Sequence, residues 1–387
     1  VGIIAFAIKL TIITIIAGFP RQIVTPLIAP SAVLRPLPVG AERAADVTIA
    51  ESRSPWQALP DRAPAPPGNP TTPEKVALGE RLFFDPALSA NGKVACASCH
   101  DVRRGAGADG RATAVGVTGI PGRRNAPTVW NAAFQAVLFW DGRATSLEEQ
   151  AKGPLTNPDE MGMPSFATVE RAVEADPSYR DAFDRAFGAG APITIDRIAA
   201  AIAAYERTLI TPDTPYDRFV RGDNEALTPA QRRGMMLFQS VGCATCHSGL
   251  NFSGASLLGP RSPYRVFPAA ATPYDRRYDL EADKGKAGPA GARGVWRIPS
   301  LRNVALTGPY FHNGAVSDLG EAVRIMAAAQ LNAVIGNDPR LGQTISWSPA
   351  RRTFDVVNRR VLGDRDVDDI VAFLHALSAD SLLGEKR

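Results

Sequence analysis

Cysteine and histidine are scarce in this chain of 387 residues, with four of each. Four Cys cannot build a disulfide-dense scaffold. Charge of one sign is missing too: Lys and Arg exceed Asp and Glu by only four, too mild and dispersed an excess to point to nucleic acid. Hydrophobic residues make up 45% of the chain, which excludes disorder for most of it. After the first nineteen residues no apolar run is long enough to cross a bilayer. Alternating strand patterns are also lacking. The expected fold is all-α, with long irregular loops supplied by 34 Gly and 32 Pro.

What is present begins with location. Val1 to Phe19 is apolar apart from Lys9, Thr11 and Thr14, which suits a signal peptide or a single membrane anchor. Val39-Gly40-Ala41 is a small-residue cleavage site, so residues 1–41 read as an export segment. Residues 42–71 read as a semi-rigid spacer, because seven prolines fall between Pro55 and Pro73. Folded structure is expected to begin at Thr72, where Thr-Pro-Glu supplies an N-cap and a first-turn Pro for a helix through Phe83.

That start recurs. Thr228-Pro229-Ala230-Gln231 is a capping box with Pro in the first turn, opening a helix to Phe238. In both copies a Gly-x-x-Leu-Phe pattern (Gly79 to Phe83, Gly234 to Phe238) precedes Cys-x-x-Cys-His, and the two motifs lie 147 residues apart. The chain is therefore internally duplicated, with one domain over 72–225 and a second over 226–387. Helical periodicity marks Asp196 to Leu209, Leu319 to Met326 and Asp366 to Leu377. Asn251 to Arg297 reads as a long loop.

Cys96-Ala97-Ser98-Cys99-His100 and Cys243-Ala244-Thr245-Cys246-His247 suit covalent haem. Two thiols add to the porphyrin vinyl groups while the adjacent His takes the iron. A zinc site would want its Cys pairs ~15–20 residues apart, and a redox dithiol a βαβ setting, and neither condition is met. With so few His, chance placement after both pairs has a probability of about one in ten thousand. His100 and His247 are the expected proximal ligands, and each iron's other face then decides function. The candidates for a sixth ligand are Met326, Met161 and Met163, Met235 and Met236, and two remaining His. His375 lies in an apolar stripe and is expected in the core; His312, on a turn, is more open to a role near haem.

Together these residues resemble the bacterial diheme cytochrome c peroxidase family, which includes the MauG-type enzymes. The similarity runs from Leu78 to Ser378. Its specific blocks are Leu82-Phe83-Phe84-Asp85, Arg124-Asn125-Ala126-Pro127-Thr128, Phe139-Trp140-Asp141-Gly142-Arg143-Ala144, Gln150-Ala151-Lys152-Gly153-Pro154 and Leu301-Arg302-Asn303-Val304-Ala305-Leu306-Thr307. The resemblance implies a peroxidatic haem on His100, with Glu160 as distal acid/base and Gln150 as its polar neighbour. It implies Trp140 as an electron relay between haems and Met326 as axial ligand of a high-potential C-terminal haem, where MauG-type enzymes present Tyr. It also implies an inter-domain calcium at Asn125, Thr307 and Pro309, held largely by backbone oxygens.

One departure stands out. Many relatives carry a distal His on the loop after the first haem motif. Here the loop from Asp101 to Val129 has no His, Met, Cys, Lys or Tyr, and the matching position is about Val117. The first haem is thus expected to rest without that gate. The functional expectation is a periplasmic enzyme reducing hydrogen peroxide to water, with electrons from a small cytochrome c or cupredoxin. The alternatives are a MauG-like oxidase of a protein or small organic substrate, and a non-catalytic diheme electron carrier. No nucleic-acid partner is expected, and pairing into a homodimer stays open.

Overall fold

Two helix crossings organise the molecule, and each is fixed by a glycine. In the computed structural model, which describes residues 56–257, 262–286, 294–348 and 353–383, the helix Pro73–Phe83 crosses the helix Ile195–Glu206. Pro229–Val241 crosses Asp364–Ala376 in the same way. A Cβ placed on Gly79 would come within 2.5 Å of the Ala201 carbonyl carbon and 2.9 Å of Tyr205 Cβ. One on Gly234 would meet the Asp369 carbonyl carbon at 2.5 Å and Phe373 Cβ at 2.9 Å. Four residues beyond each Gly, a buried Phe packs on the partner helix: Phe83 on Tyr205 at 5.3 Å and Phe238 on Phe373 at 5.4 Å between ring centroids. The duplication seen in the sequence is therefore a duplication of packing.

Local chemistry starts both first helices as expected. Thr72 Oγ1 accepts from Lys75 N, and Thr228 exchanges hydrogen bonds with Gln231 in a capping box. Ile198 and Ile202 fill the first core beside Leu82, Phe83 and Leu155, while Phe238, Phe252, Ile370 and Phe373 fill the second. A third cluster joins Trp140 to Phe267, Trp296, Ile325 and Met326.

The described residues are mainly helical, with twelve α-helices and three two-stranded sheets. The all-α expectation is corrected on that last point. Gln343–Ser348 and Thr353–Asn358 form an antiparallel hairpin, and the loop expected over 251–297 holds the strand Tyr264–Val266, paired with Val295–Arg297, and a short helix Pro273–Arg277. The helix expected to end at Met326 continues to Leu331.

The Pro-rich stretch is a further correction. Residues 1–55, with the export segment, lie outside the described residues, but 56–71 form a packed strap and not a free spacer. Pro denies the strap a helix, yet an extended backbone still presents side chains and N–H groups. Trp56 enters the second core against Tyr216, Phe238, Phe252 and Phe373, at 6.0–6.5 Å. Leu59 is buried and donates its N–H to Asp217 Oδ1 at 3.0 Å. Asn69 binds Glu148, the Ala200 carbonyl and Lys75 on the first copy. Asp217 also takes the Arg302 guanidinium in a fully buried two-point pair at 2.8 and 2.9 Å. Such a pair survives burial because every charge finds a partner.

His375 is exposed, not in the core. The buried stripe of its helix runs through Val367, Ile370, Phe373 and Leu374. His375 falls one step past that stripe, in the last turn, where the helix dipole favours a basic group.

Candidate functional site: two Cys-x-x-Cys-His centres and their junction

Each Cys-x-x-Cys-His segment is a single helical turn that presents its His on a fixed tautomer. Cys96–Cys99 is α-helical and Cys243–Thr245 is a 3-10 turn. His100 N and His247 N both donate to the first Cys carbonyl at 2.9 Å. The His247 ring sets Nδ1 3.0 Å from the Phe252 carbonyl, and His100 sets Nδ1 3.4 Å from Gly107 O. The carbonyls of Pro127 and Pro299 act on the same two rings. A carbonyl at Nδ1 holds the proton there and leaves Nε2 as the lone-pair donor to a metal. Burial lowers both imidazole pKa values, that of His247 to about 4, so both rings are neutral ligands.

The supports repeat as well. Thr128 Oγ1 donates to the Ala106 carbonyl, and Ser300 Oγ to the Asn251 carbonyl. Asn131 and Asn303, both left-handed, each begin a 3-10 turn, and both side-chain amides reach the hydroxyl of Thr211.

The thiols argue against thiolate redox chemistry. Burial raises Cys96 and Cys243 to about 12 and Cys99 to about 11, whereas reactive dithiols have depressed values. All four Cys are free of disulfides. Half-buried thiols, free of disulfides and paired next to a neutral His, suit haem attachment. An orphan donor agrees: the Trp130 indole N–H is buried without an acceptor among the described residues. Trp130 lies against Gly107, whose carbonyl faces His100, so a haem carboxylate would satisfy it.

Glu160 lies on a turn after the helix Leu147–Thr156, which carries the half-buried Gln150. Glu160 N donates to Asn157 O, and Asn157 Nδ2 donates to Glu160 Oε1 at 2.7 Å. Burial raises the carboxyl pKa, against the Asn157 hydrogen bond and the charge of Arg143. The field of Glu160 is felt at both Cys96 and Cys99. Val117 is pinned to the same turn: its N–H donates to the Glu160 carbonyl at 2.8 Å, and its carbonyl accepts from Asn91.

Met326 is half-buried in the cluster that also holds Trp140. Of the other methionines, Met161 and Met163 fill the first core and Met236 is exposed. Asn125 and the segment of Thr307 and Pro309 adjoin, since Asn125 N donates to the His312 carbonyl at 2.8 Å. The Asn125 carbonyl takes the Trp140 indole N–H at 2.9 Å. Among the described residues no cluster of three or more His, Cys, Asp or Glu could hold a metal, so calcium here would depend on amide and carbonyl oxygens.

Two groups escaped sequence reasoning. Glu206 is buried with Oε2 unpartnered, and burial raises its pKa to about 8. Arg297 is buried too, its guanidinium donating to the Phe139 carbonyl and Gln135 Oε1. Glu206 was legible only as the one acidic residue closing an otherwise apolar helix face.

Fold and site define an internally duplicated, mainly helical protein with one Cys-x-x-Cys-His centre in each copy. Comparison with known proteins gives the particular family. A sequence model of the di-haem cytochrome c peroxidases matches residues 73–225. The chain is 39% identical to the cytochrome c551 peroxidase of Pseudomonas aeruginosa, over 86% of this chain and 87% of that one. It is 37% identical to the methylamine utilization protein MauG of Methylorubrum extorquens, over 83% of each. A crystal structure of a MauG-like protein associated with microbial copper homeostasis superposes with a TM-score of 0.67 at 30% identity, covering 84% of this chain and 95% of that one. The chain belongs to the di-haem cytochrome c peroxidase family of oxidoreductases.

Proposed function

We propose that this protein reduces hydrogen peroxide to water at the His100 centre, with electrons from a small cytochrome c or cupredoxin entering at the His247 centre. Cys96 and Cys99, and Cys243 and Cys246, would hold two haems through thioether bonds, with Met326 as a further ligand to the C-terminal one. Bound haem supplies the redox-active iron. The observation that carries the reading is Glu160: a carboxyl with raised pKa, fixed by Asn157, whose field reaches Cys96 and Cys99. Glu160 takes a proton from one peroxide oxygen and returns it to the departing one, so that one peroxide, two protons and two electrons give two waters. Gln150 orients the peroxide, and Trp140, in one cluster with Met326, relays electrons.

Val117 offers no ligand where gated relatives carry His, so turnover should need no pre-reduction. Asn125, Thr307 and Pro309 are assigned to calcium, which would brace the junction. Haem attachment of this type fits the periplasm; among the described residues no helix is long and apolar enough to cross a membrane.

The test is steady-state peroxide consumption with a reduced cytochrome c, with and without pre-reduction. Glu160→Gln should cut kcat by about 10²–10⁴ with both haem spectra kept. Undiminished turnover in that variant would remove Glu160 from the mechanism. Oxidation of a protein substrate without cytochrome oxidation would favour a MauG-type reaction.

A further inference from the structure

The two copies meet about a pseudo-twofold axis. Phe139-Trp140-Asp141-Gly142 and Phe311-His312-Asn313-Gly314 share one backbone: Phe at φ 64° and 69°, Gly at 67° and 58°. Each is closed by an antiparallel bridge, Leu138 to Ala144 and Tyr310 to Val316. Trp140 and His312 are thus equivalent positions, as are Asn125 and Arg297, at one common spacing of 172 residues. Their hydrogen bonds are reciprocal. Asn125 N donates to the His312 carbonyl at 2.8 Å, and Arg297 N donates to the Trp140 carbonyl at 2.9 Å. Such exchange is the mark of an isologous contact.

On this axis the Trp140 and His312 rings meet edge-on, with centroids 6.5 Å apart. His312 also stacks on Trp296, 4.1 Å away and 19° from parallel. The His312 side chain is 3% exposed, and its Nε2 has no partner among the described residues. An imidazole carries at least one N–H in either protonation state. The junction also holds the buried Arg297 guanidinium, with no carboxylate at ion-pair distance among the described residues. Asp141, whose field reaches Arg297, is bound to Arg124 and Arg143. A buried imidazole N–H and a buried guanidinium, both short of an anion, mark a place where the protein expects a carboxylate it does not itself supply.

We propose that His312 is a positioning residue of the inter-haem junction: its Nε2–H donates to a haem propionate carboxylate, and its ring, edge-on to Trp140, completes the contact through which the copies exchange electrons. The proposal rests on both centres holding haem, but not on peroxide being the substrate. The step moves one electron from the reduced C-terminal haem to the oxidised N-terminal one, with no bond made or broken.

The test uses the full-length holoprotein without peroxide. Haem midpoints are read by spectroelectrochemistry, and inter-haem equilibration by flash reduction. His312→Phe keeps the stacked ring but removes both nitrogens, and His312→Gln returns an N–H donor without a ring. With haem content unchanged, the Phe variant should lower one midpoint, because a carboxylate without its donor favours ferric iron. A tenfold change in the oxidised-to-reduced ratio corresponds to ~59 mV for one electron. The Gln variant should recover the midpoint but slow inter-haem transfer, because it lacks the ring edge-on to Trp140. Unchanged midpoints and rate in the Phe variant overturn the proposal, and so does an equal midpoint shift in Phe and Gln, which would reveal a packing effect alone. Loss of peroxide turnover with normal inter-haem transfer would count against the peroxidase reading and not against this one.

Discussion

Gly234→Ala is a test of the duplicated helix crossing, and its magnitude follows from the packing. Alanine's Cβ would lie 2.5 Å from the Asp369 carbonyl carbon, while carbon atoms rest at roughly 3.5–4.0 Å. The opposing group is backbone of the helix Asp364–Ala376, so it cannot swing aside; the two helices must part by about 1 Å. A gap of 0.5–1 Å forfeits roughly a quarter to a half of each contact's attraction, here across Phe238, Phe373 and Ile370. Overpacking of this kind costs about 1–3 kcal/mol, less up to ~1 kcal/mol returned by alanine's helix propensity. The expected result is a fall in Tm of the holoprotein, read by far-UV circular dichroism, and Gly79→Ala should behave alike. Gly320→Ala is the control: its Cβ would come tightest to the flexible ends of Asp318 and Arg324, at 3.1 and 3.3 Å, and meet Val367 at an ordinary 3.6 Å, so it should be neutral or slightly stabilising. A Gly234→Ala protein as stable as the parent would refute the reasoning.

Other expectations concern the titrating and ligating groups. The base proposed in Glu160 would act only when ionised, and burial raises its pKa. kcat/KM should therefore fall as pH drops through a value above the ordinary carboxylate range, a limb that Glu160→Gln abolishes. Met326→Leu should lower the C-terminal haem midpoint and slow reduction by the donor; an unaltered optical spectrum would discard Met326 as a ligand. Glu206 is held neutral when folded, with a pKa raised from 4.5 to about 8. Its contribution to stability is full below 4.5 and is lost as pH rises to about 8, because the unfolded chain releases the proton first. Glu206→Gln should flatten that slope in urea titrations across pH 5–8, and an unchanged slope would show the carboxyl to be ionised in the folded protein.

The parts of the molecule legible in the sequence are those fixed over a few residues. Thr72-Pro73 and Thr228-Pro229 announce their helices because capping is local. The Cys-x-x-Cys-His turns likewise carry their own geometry. Composition fared worse with the Pro-rich stretch: it reports which backbone shapes are allowed, not that Trp56 and Leu59 find a core to enter. His375 shows how one residue's step around a helix separates core from solvent. The junction was out of reach for another reason. Its bonds join residues such as Asn125 and His312, far apart in the chain, and only the folded pairing reveals them.

The self-complementary junction also bears on why the two centres share one chain. In a dimer of identical subunits, a residue that meets its own counterpart on the axis must meet its like, so tryptophan would meet tryptophan and arginine would meet arginine. Here Trp140 meets His312, and the Arg124 guanidinium lies 5.2 Å from the Trp296 ring. Covalent fusion removes the constraint of identity and allows each side of the axis to vary alone. A direction is thereby written into an otherwise symmetric interface, and directionality is what a pair of redox centres needs if one is to give and the other to receive.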